Sequence, residues 1–175
     1  MRGAEHYKVR VIADSQGEFS PRLTTFELEY PRYIHAECKT HRLLNIDSPA
    51  VELLEEVALM DDPNLSRNAS SSRAIPTAKL IARVRANPVV PLLWAANRPG
   101  MQAGEAFDAE KAEAAERVWR RAAMTAADHA QHLLDMGAHK QWVNRLLEPF
   151  LTIRVVVTAT DWSNFFALRR HPDAQ

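Results

Sequence analysis

Apolar and polar positions alternate in two stretches near the start of the chain. In YKVRVIA, Tyr7, Val9 and Val11 share one face, and in LTTFELEY the same period runs through Thr24, Phe26, Leu28 and Tyr30. Successive side chains of a strand point to opposite faces, so a period of two predicts half-buried strands. SQGEFSPR, residues 15–22, supplies the glycine, serine and proline of a connection, so the two stretches read as an antiparallel pair. Beyond Pro31 the period changes. YIHAECKTHRLL predicts a helix, and SPAVELLEEVALM predicts another, with Ser48 as cap, Pro49 in the first turn and Val51, Leu54, Val57 and Leu59 as its apolar stripe. DDPN and a serine-rich loop follow. TAKLIARVRAN predicts a helix ended by Pro88, and PVVPLLWAANRPGMQAG predicts irregular backbone. A long alanine-rich helical pattern runs from about Asp108 to Met136 and stops at Gly137. HKQWVNRLLE predicts a shorter helix before Pro149, LTIRVVVTAT a strand, and SNFFALRR a last helix capped by Ser163.

Composition narrows what this pattern can build. The chain has 175 residues, 46% of them hydrophobic, which predicts one domain with a substantial core. Its formal net charge is zero and its pI is about 7.1, so no global field draws it to nucleic acid or to an anionic membrane. No apolar run approaches the roughly 18 residues of a membrane span, and MRGAEHYKVR lacks the apolar core of a signal peptide. The cytoplasm is the expected compartment. Cys38 is the only cysteine, which excludes an intrachain disulfide and a cysteine-rich zinc site. HAECKTHR around it carries no cysteine-enzyme pattern, so a buried structural thiol is expected.

Three groups of residues have the chemistry of a site. His129 and His132 fall three apart on one helical face with Asp128 and His139 nearby, a spacing compatible with zinc but lacking a third ligand fixed by spacing, so no metal is expected. Lys79, Arg83 and Arg85, followed by Trp94 and Arg98, have the charge and ring of a single-strand binder. An ordinary solvated helix face explains them as well, and no nucleic-acid partner is expected. The third group begins with LSRNASSSRAIP, residues 65–76, which holds four serines and two arginines. Hydroxyls and forked guanidinium donors in a loop suit a bound phosphate, although a polar surface loop uses the same residues.

That third group extends along the chain. THRLL at 40–44, SRNASSSRA at 66–74, NRLLEP at 144–149 and NFFALRRHPDAQ at 164–175 occur in the order found in flavin-dependent thymidylate synthases, and the sequence resembles that family over nearly its whole length. The family signature, an arginine-histidine-arginine triplet followed by a serine, asparagine, glutamate, serine, arginine, tyrosine series, falls here on His41, Arg42, Ser66, Asn68, Ser71 and Arg73. Thr40, Ala69 and Ala74 stand in place of the first arginine, the glutamate and the tyrosine. Residues 45–65 interrupt the signature with the capped amphipathic helix, an inserted arm on a single 1–175 domain, and the chain stops at Gln175 where the family continues.

The resemblance implies an α+β fold, a mainly antiparallel sheet flanked by helices, and a homotetramer whose active sites draw on several subunits. It implies FAD as cofactor, held by His41, Arg42, Asn68 and Asn164. Ser66, Ser71, Arg73, Arg145 and Arg169 would hold the phosphate and pyrimidine of a uracil nucleotide, and Glu37 stands where the family has a glutamine on the nucleotide. Arg169 is the candidate catalytic residue, because an arginine near the uracil carbonyls stabilises enolate-like charge as C5 becomes nucleophilic. Methylenetetrahydrofolate would give the carbon and NADPH would reduce the flavin, the cofactor carrying the hard step. A related group acts on UMP in polyoxin-type antibiotic biosynthesis, and the altered signature with Glu37 keeps both UMP and dUMP open as substrates. Without the resemblance, Arg145 and Arg169 are equally ion-pair partners for Glu148 or Asp173. A flavin-free nucleotide or nucleic-acid binding module and a hydroxymethyl-transferring enzyme remain as alternatives.

Overall fold

The computed structural model describes residues 6–36, 66–100, 103–163 and 166, with backbone alone at 66–68 and 73. Among them the order is β1 (Lys8–Ser15), β2 (Leu23–Pro31), a 3-10 turn at Arg32–Ile34, β3 (Ser66–Ala69), a 3-10 turn at Ser72–Ala74, α1 (Thr77–Ala86), α2 (Ala109–Asp135), α3 (Lys140–Val143), a 3-10 segment at Asn144–Phe150 and β4 (Thr152–Ala159). The class is α+β, as expected. The 45–65 insertion lies outside the described residues, and so do Cys38 and most of the helix expected after Pro31, of which Arg32–Ala36 are described as a 3-10 turn running into helical backbone. The chain divides into two compact units, one mainly helical, containing Glu29–Tyr33 and Ser70–Ile153, and one mainly of sheet, containing Lys8–Leu28 and β3.

The strands pair in the order β1-β2-β4-β3. Side-chain bonds across β1 and β2 join Asp14 to Thr24 and Arg10 to Glu27, and across β2 and β4 join Thr25 to Thr158 and Glu29 to Thr152. In each pair one number falls as the other rises, the mark of antiparallel strands. β4 is central and buries alternate residues, Ile153, Val155, Val157 and Ala159. β1 is an edge strand, and there the expectation fails: Tyr7, Val9 and Val11 do not form a buried face, and every residue of β1 is exposed. It has one strand neighbour and no described element covering either face. β2 is likewise covered to a similar degree on both faces along most of its length.

The serine-rich stretch is not all loop. Ser66–Ala69 is strand β3, antiparallel to β4 with Ser66 opposite Thr158 and Ala69 opposite Val155. SRNA has no apolar alternation, so its extended form comes from pairing with the open edge of β4, which satisfies its backbone groups. Helical backbone starts at Ser163 itself, so Ser163 is not the cap; the Asp161 carboxylate two residues before accepts from both Ser163 N (2.8 Å) and Ser163 Oγ (2.6 Å). Trp162 and Phe166 pack around Phe26 of β2, with Phe26 and Trp162 edge to face at 4.7 Å.

The helical unit packs around α2. Asp108 caps that helix by accepting from Lys111 N at 2.8 Å. At its other end Gly137, with φ +79°, gives N–H to Leu134 O while Ala138 N reaches Leu133 O, the paired bonds of a left-handed helix stop. Ala123, Ala127 and Ala130 make a fully buried stripe of small side chains, against which Leu80, Ile81 and Val84 of α1 and Val143, Leu147 and Phe150 pack. The irregular 88–104 segment is tied by Ala96 N–Glu105 O and Phe107 N–Trp94 O bonds. Gly104 is required in it, since a Cβ there would lie 2.9 Å from the Ala96 carbonyl oxygen. The helix expected over 139–148 is split. His139 caps α3, and from Asn144 the chain tightens into 3-10 form as it approaches Pro149, which lacks a donor and disfavours α geometry in the residue before it.

Candidate functional site

The site is built in the helical unit where two of the sequence segments meet. Ser71 is extended (φ −92°, ψ 123°), and the next three residues close a 3-10 turn through Ala74 N–Ser71 O (3.1 Å) and Ile75 N–Ser72 O (3.2 Å). Pro76, with φ −57°, then starts α1. Bonds of the 3-10 type are poorly aligned, so a turn of this length needs outside support. Asn144 supplies it. Its Nδ2 donates to Ser72 O at 2.8 Å and to Ile75 O at 3.0 Å, and its Oδ1 accepts from Thr77 Oγ1 at 2.7 Å. Only this orientation of the amide satisfies two carbonyls and a hydroxyl together. Asn144 is 0% exposed.

A second tie runs alongside. Ser72 Oγ donates to Glu148 Oε1 at 2.6 Å, and the same oxygen faces Arg32 Nη2 at 3.0 Å. The alternative reading of Arg145 as the ion-pair partner of Glu148 is therefore corrected: Glu148 is taken by Arg32. Arg145 is exposed, its guanidinium 5.7 Å from the centre of the Trp142 ring, and it has no carboxylate partner among the described residues. That distance is within cation–π range. The first turn of α1 has no acidic residue and no side-chain cap, because its N-cap position is Pro76, which has no polar side chain, and the Thr77 hydroxyl that follows donates to Asn144. The positive end of the α1 dipole thus adds to the cationic character of the turn that precedes it.

Close by in the same unit, Arg32 leads into Tyr33, whose ring packs edge-on to Trp119 at 6.1 Å. Burial, reinforced by the neighbouring Tyr7 phenol, pushes the Tyr33 phenol well above its usual range and keeps it neutral. Trp119 donates Nε1 to Val89 O at 2.8 Å and packs on Trp94 and Phe150.

The candidate residues fall into three sets. Ser71, Arg73 and Arg145 are brought together as segments, Arg73 lying on the backbone between the two carbonyls that Asn144 holds, and Arg145 directly following Asn144. Ser66 and Asn68 lie on β3 in the sheet unit. Glu37, His41, Arg42, Asn164 and Arg169 lie outside the described residues. Of the three signature departures, Ala69 and Ala74 are exposed and Thr40 lies outside the described residues. Of the histidine group, His139 Nδ1 accepts from Gln141 N and Asp128 pairs with Arg85 at 2.8 Å, and no three metal-ligating side chains converge among the described residues. In the basic group Trp94 is half-buried against Trp119, so it does not stand free as a stacking face. No described helix is long and apolar enough to cross a membrane.

Sequence reading did not single out Asn144, Glu148, Arg32 or Thr77 as supports of the turn. Asn144 left one trace, a polar residue on the stripe otherwise formed by Val143 and Leu147.

No family model and no curated protein matches the chain. Solved structures do share its fold, among them two of one methylase. One is the UMP/dUMP methylase PolB from Streptomyces cacaoi bound with 5-Br UMP, 17% identical, with a TM-score of 0.60 over 96% of this chain and 78% of that one. The other is the same methylase bound with 5-Br dUMP, 17% identical, with a TM-score of 0.57 over 88% of this chain and 72% of that one. The likeness is one of fold.

Proposed function

We propose that this chain is a uracil-nucleotide C5-methylase that works reductively with FAD, taking its carbon from methylenetetrahydrofolate and its reducing equivalents from NADPH. The observation that carries the reading is the tie between the Ser71–Ile75 turn and the Asn144–Arg145 segment, two pieces of a phosphate-suited motif, in a fold shared with PolB. Ser71 and Arg73 hold the phosphate by charge-assisted bonds, and Arg145 holds the nucleotide from the facing segment. Arg169 stabilises negative charge on the pyrimidine as C5 becomes nucleophilic. His41, Arg42, Asn68 and Asn164 hold FAD, which when bound supplies the electrons that take the transferred carbon to the methyl level. Ser66 belongs to the nucleotide side. The working form is a homotetramer with shared sites in the cytoplasm.

Both sugars are substrates in this reading. PolB was captured with ribo- and deoxyribonucleotide analogues alike. A carboxylate at Glu37, where the family it resembles has a glutamine on the nucleotide, accepts a hydrogen bond from a 2′-hydroxyl. A site that pairs a hydroxyl loses more on its removal than an apolar pocket does. UMP and dUMP are mixed in competition with the protein, FAD, NADPH and methylenetetrahydrofolate, and 5-methyl products are followed by mass. The expected result is yellow protein that turns over UMP at least as well as dUMP, with Glu37→Gln shifting preference toward dUMP. Colourless protein that binds no FAD in a fluorescence titration and yields no 5-methyl product overturns the reading.

A further inference from the structure

We infer that Asn144 is a positioning residue for nucleotide binding: its buried amide locks the Ser71–Ile75 turn to the segment that bears Arg145, so that Arg73 and Arg145 meet the 5′-phosphate of a nucleotide from preset backbone positions. The inference rests on the reading of this site as a nucleotide site and adds to it a residue that touches no ligand.

The two backbone carbonyls held by Asn144 Nδ2, at Ser72 and Ile75, bracket Arg73 and Ala74. Both bonds go to main chain, so they fix the path of the turn whatever side chains it carries. They span 72 and 69 residues of sequence, and the Thr77 hydroxyl, 67 residues away, closes the third side of the amide. Every strong donor and acceptor of that side chain is engaged in a place with no access to solvent. An apolar residue would fill the same space at less desolvation cost but would leave two carbonyls without their amide donor and the turn held by its own 3-10 bonds and the Ser72–Glu148 bond. A turn left loose must be ordered each time a ligand binds, and that ordering subtracts from affinity. Ser72 Oγ on Glu148 gives the same turn a second fixed point, four residues further along the segment that carries Asn144.

The test compares UMP with uridine, which differ by the phosphate. Full-length protein, Asn144→Ala, Thr77→Val and Ser72→Ala are titrated with each ligand at a temperature where circular dichroism shows all of them folded, and thermal melts are recorded in parallel. Thr77→Val keeps volume and removes one bond from the amide, and Ser72→Ala removes the second tie, so either one carries the test if Asn144→Ala does not fold. The expected result is a weakening for UMP of roughly tenfold in Asn144→Ala and less in the other two, with uridine affinity little changed. Variants that melt lower but keep the wild-type ratio of UMP to uridine affinity overturn the positioning role and leave Asn144 as a packing residue. Wild-type protein that binds UMP no better than uridine overturns the nucleotide-phosphate reading itself.

Discussion

β1 and β4 are both eight residues long, and each opens on alternating polar and β-branched residues, KVRV in β1 and TIRV in β4. Their fates are opposite. β4 lies between β2 and β3 and buries Ile153, Val155, Val157 and Ala159, whereas β1 lies at the edge with Val9 71% exposed. Alternation is a local property and reports the strand; burial is a property of what comes to lie on its faces, and nothing in KVRVIADS encodes that. β1 carries Lys8, Arg10 and Asp14 along its length, and charged side chains on an edge discourage pairing with another chain.

The largest expected effect comes from one substitution made in both strands. Val157→Ala removes two buried methyl groups from a residue 4% exposed and should cost about 2 kcal/mol or more in urea unfolding, the transfer loss plus the cavity left behind. Val9→Ala should change stability by no more than about 0.5 kcal/mol. Equal losses in the two variants would mean that β1 is covered in solution, and the contrast between the strands would then belong to the isolated chain.

The contrast also explains which parts of the fold and site were legible. α2 was readable end to end because its signals are local: Asp108 at the cap, alanines at helical spacing, Gly137 at the stop. β3 was not, since SRNA becomes a strand only by lying beside Val155 to Thr158. The same holds within the site. Ser71, Arg73 and Arg145 stood out by residue type and through a family resemblance, but the residues that hold their backbones have partners some seventy positions away. Sequence proximity pairs Glu148 with its neighbour Arg145, whereas the side chain that reaches it comes from Arg32. Short-range pairing is what a sequence offers to the eye, and the fold brings together distant charges.

A second test moves the comparison from apolar to polar contacts and has an intermediate effect. In the helical unit the Trp119 indole N–H is the donor to the carbonyl of Val89, a residue only 2% exposed. Trp119→Phe keeps an aromatic ring against Tyr33, Trp94 and Phe150 but leaves that carbonyl without its indole donor, and should lower stability by about 1 to 2 kcal/mol in denaturant unfolding. A loss no greater than that of Val9→Ala would show that water replaces the indole, and the interior of the helical unit would then be wetter than its packing indicates.

The smallest effect belongs to the exposed hairpin and depends on pH. Asp14 at the end of β1 accepts from Arg22 Nε at 2.9 Å and from Thr24 Oγ1 at 3.0 Å, and the Arg22 bond is the main cause that holds its carboxyl below the usual carboxylate range. A carboxyl whose pKa is lower in the folded chain than in the unfolded one favours folding when ionised. That contribution is complete above the unfolded value of roughly 4 and disappears as pH falls through the folded value. Asp14→Asn should therefore melt slightly below wild type at pH 7, and the gap should close as pH is taken down toward 2. Salt should narrow the gap at neutral pH as well, since both side chains face solvent. A gap that stays constant with pH would place the cost of the substitution in the lost Thr24 bond and not in charge, because the amide still offers Thr24 an acceptor only if its oxygen takes the place of Oδ1.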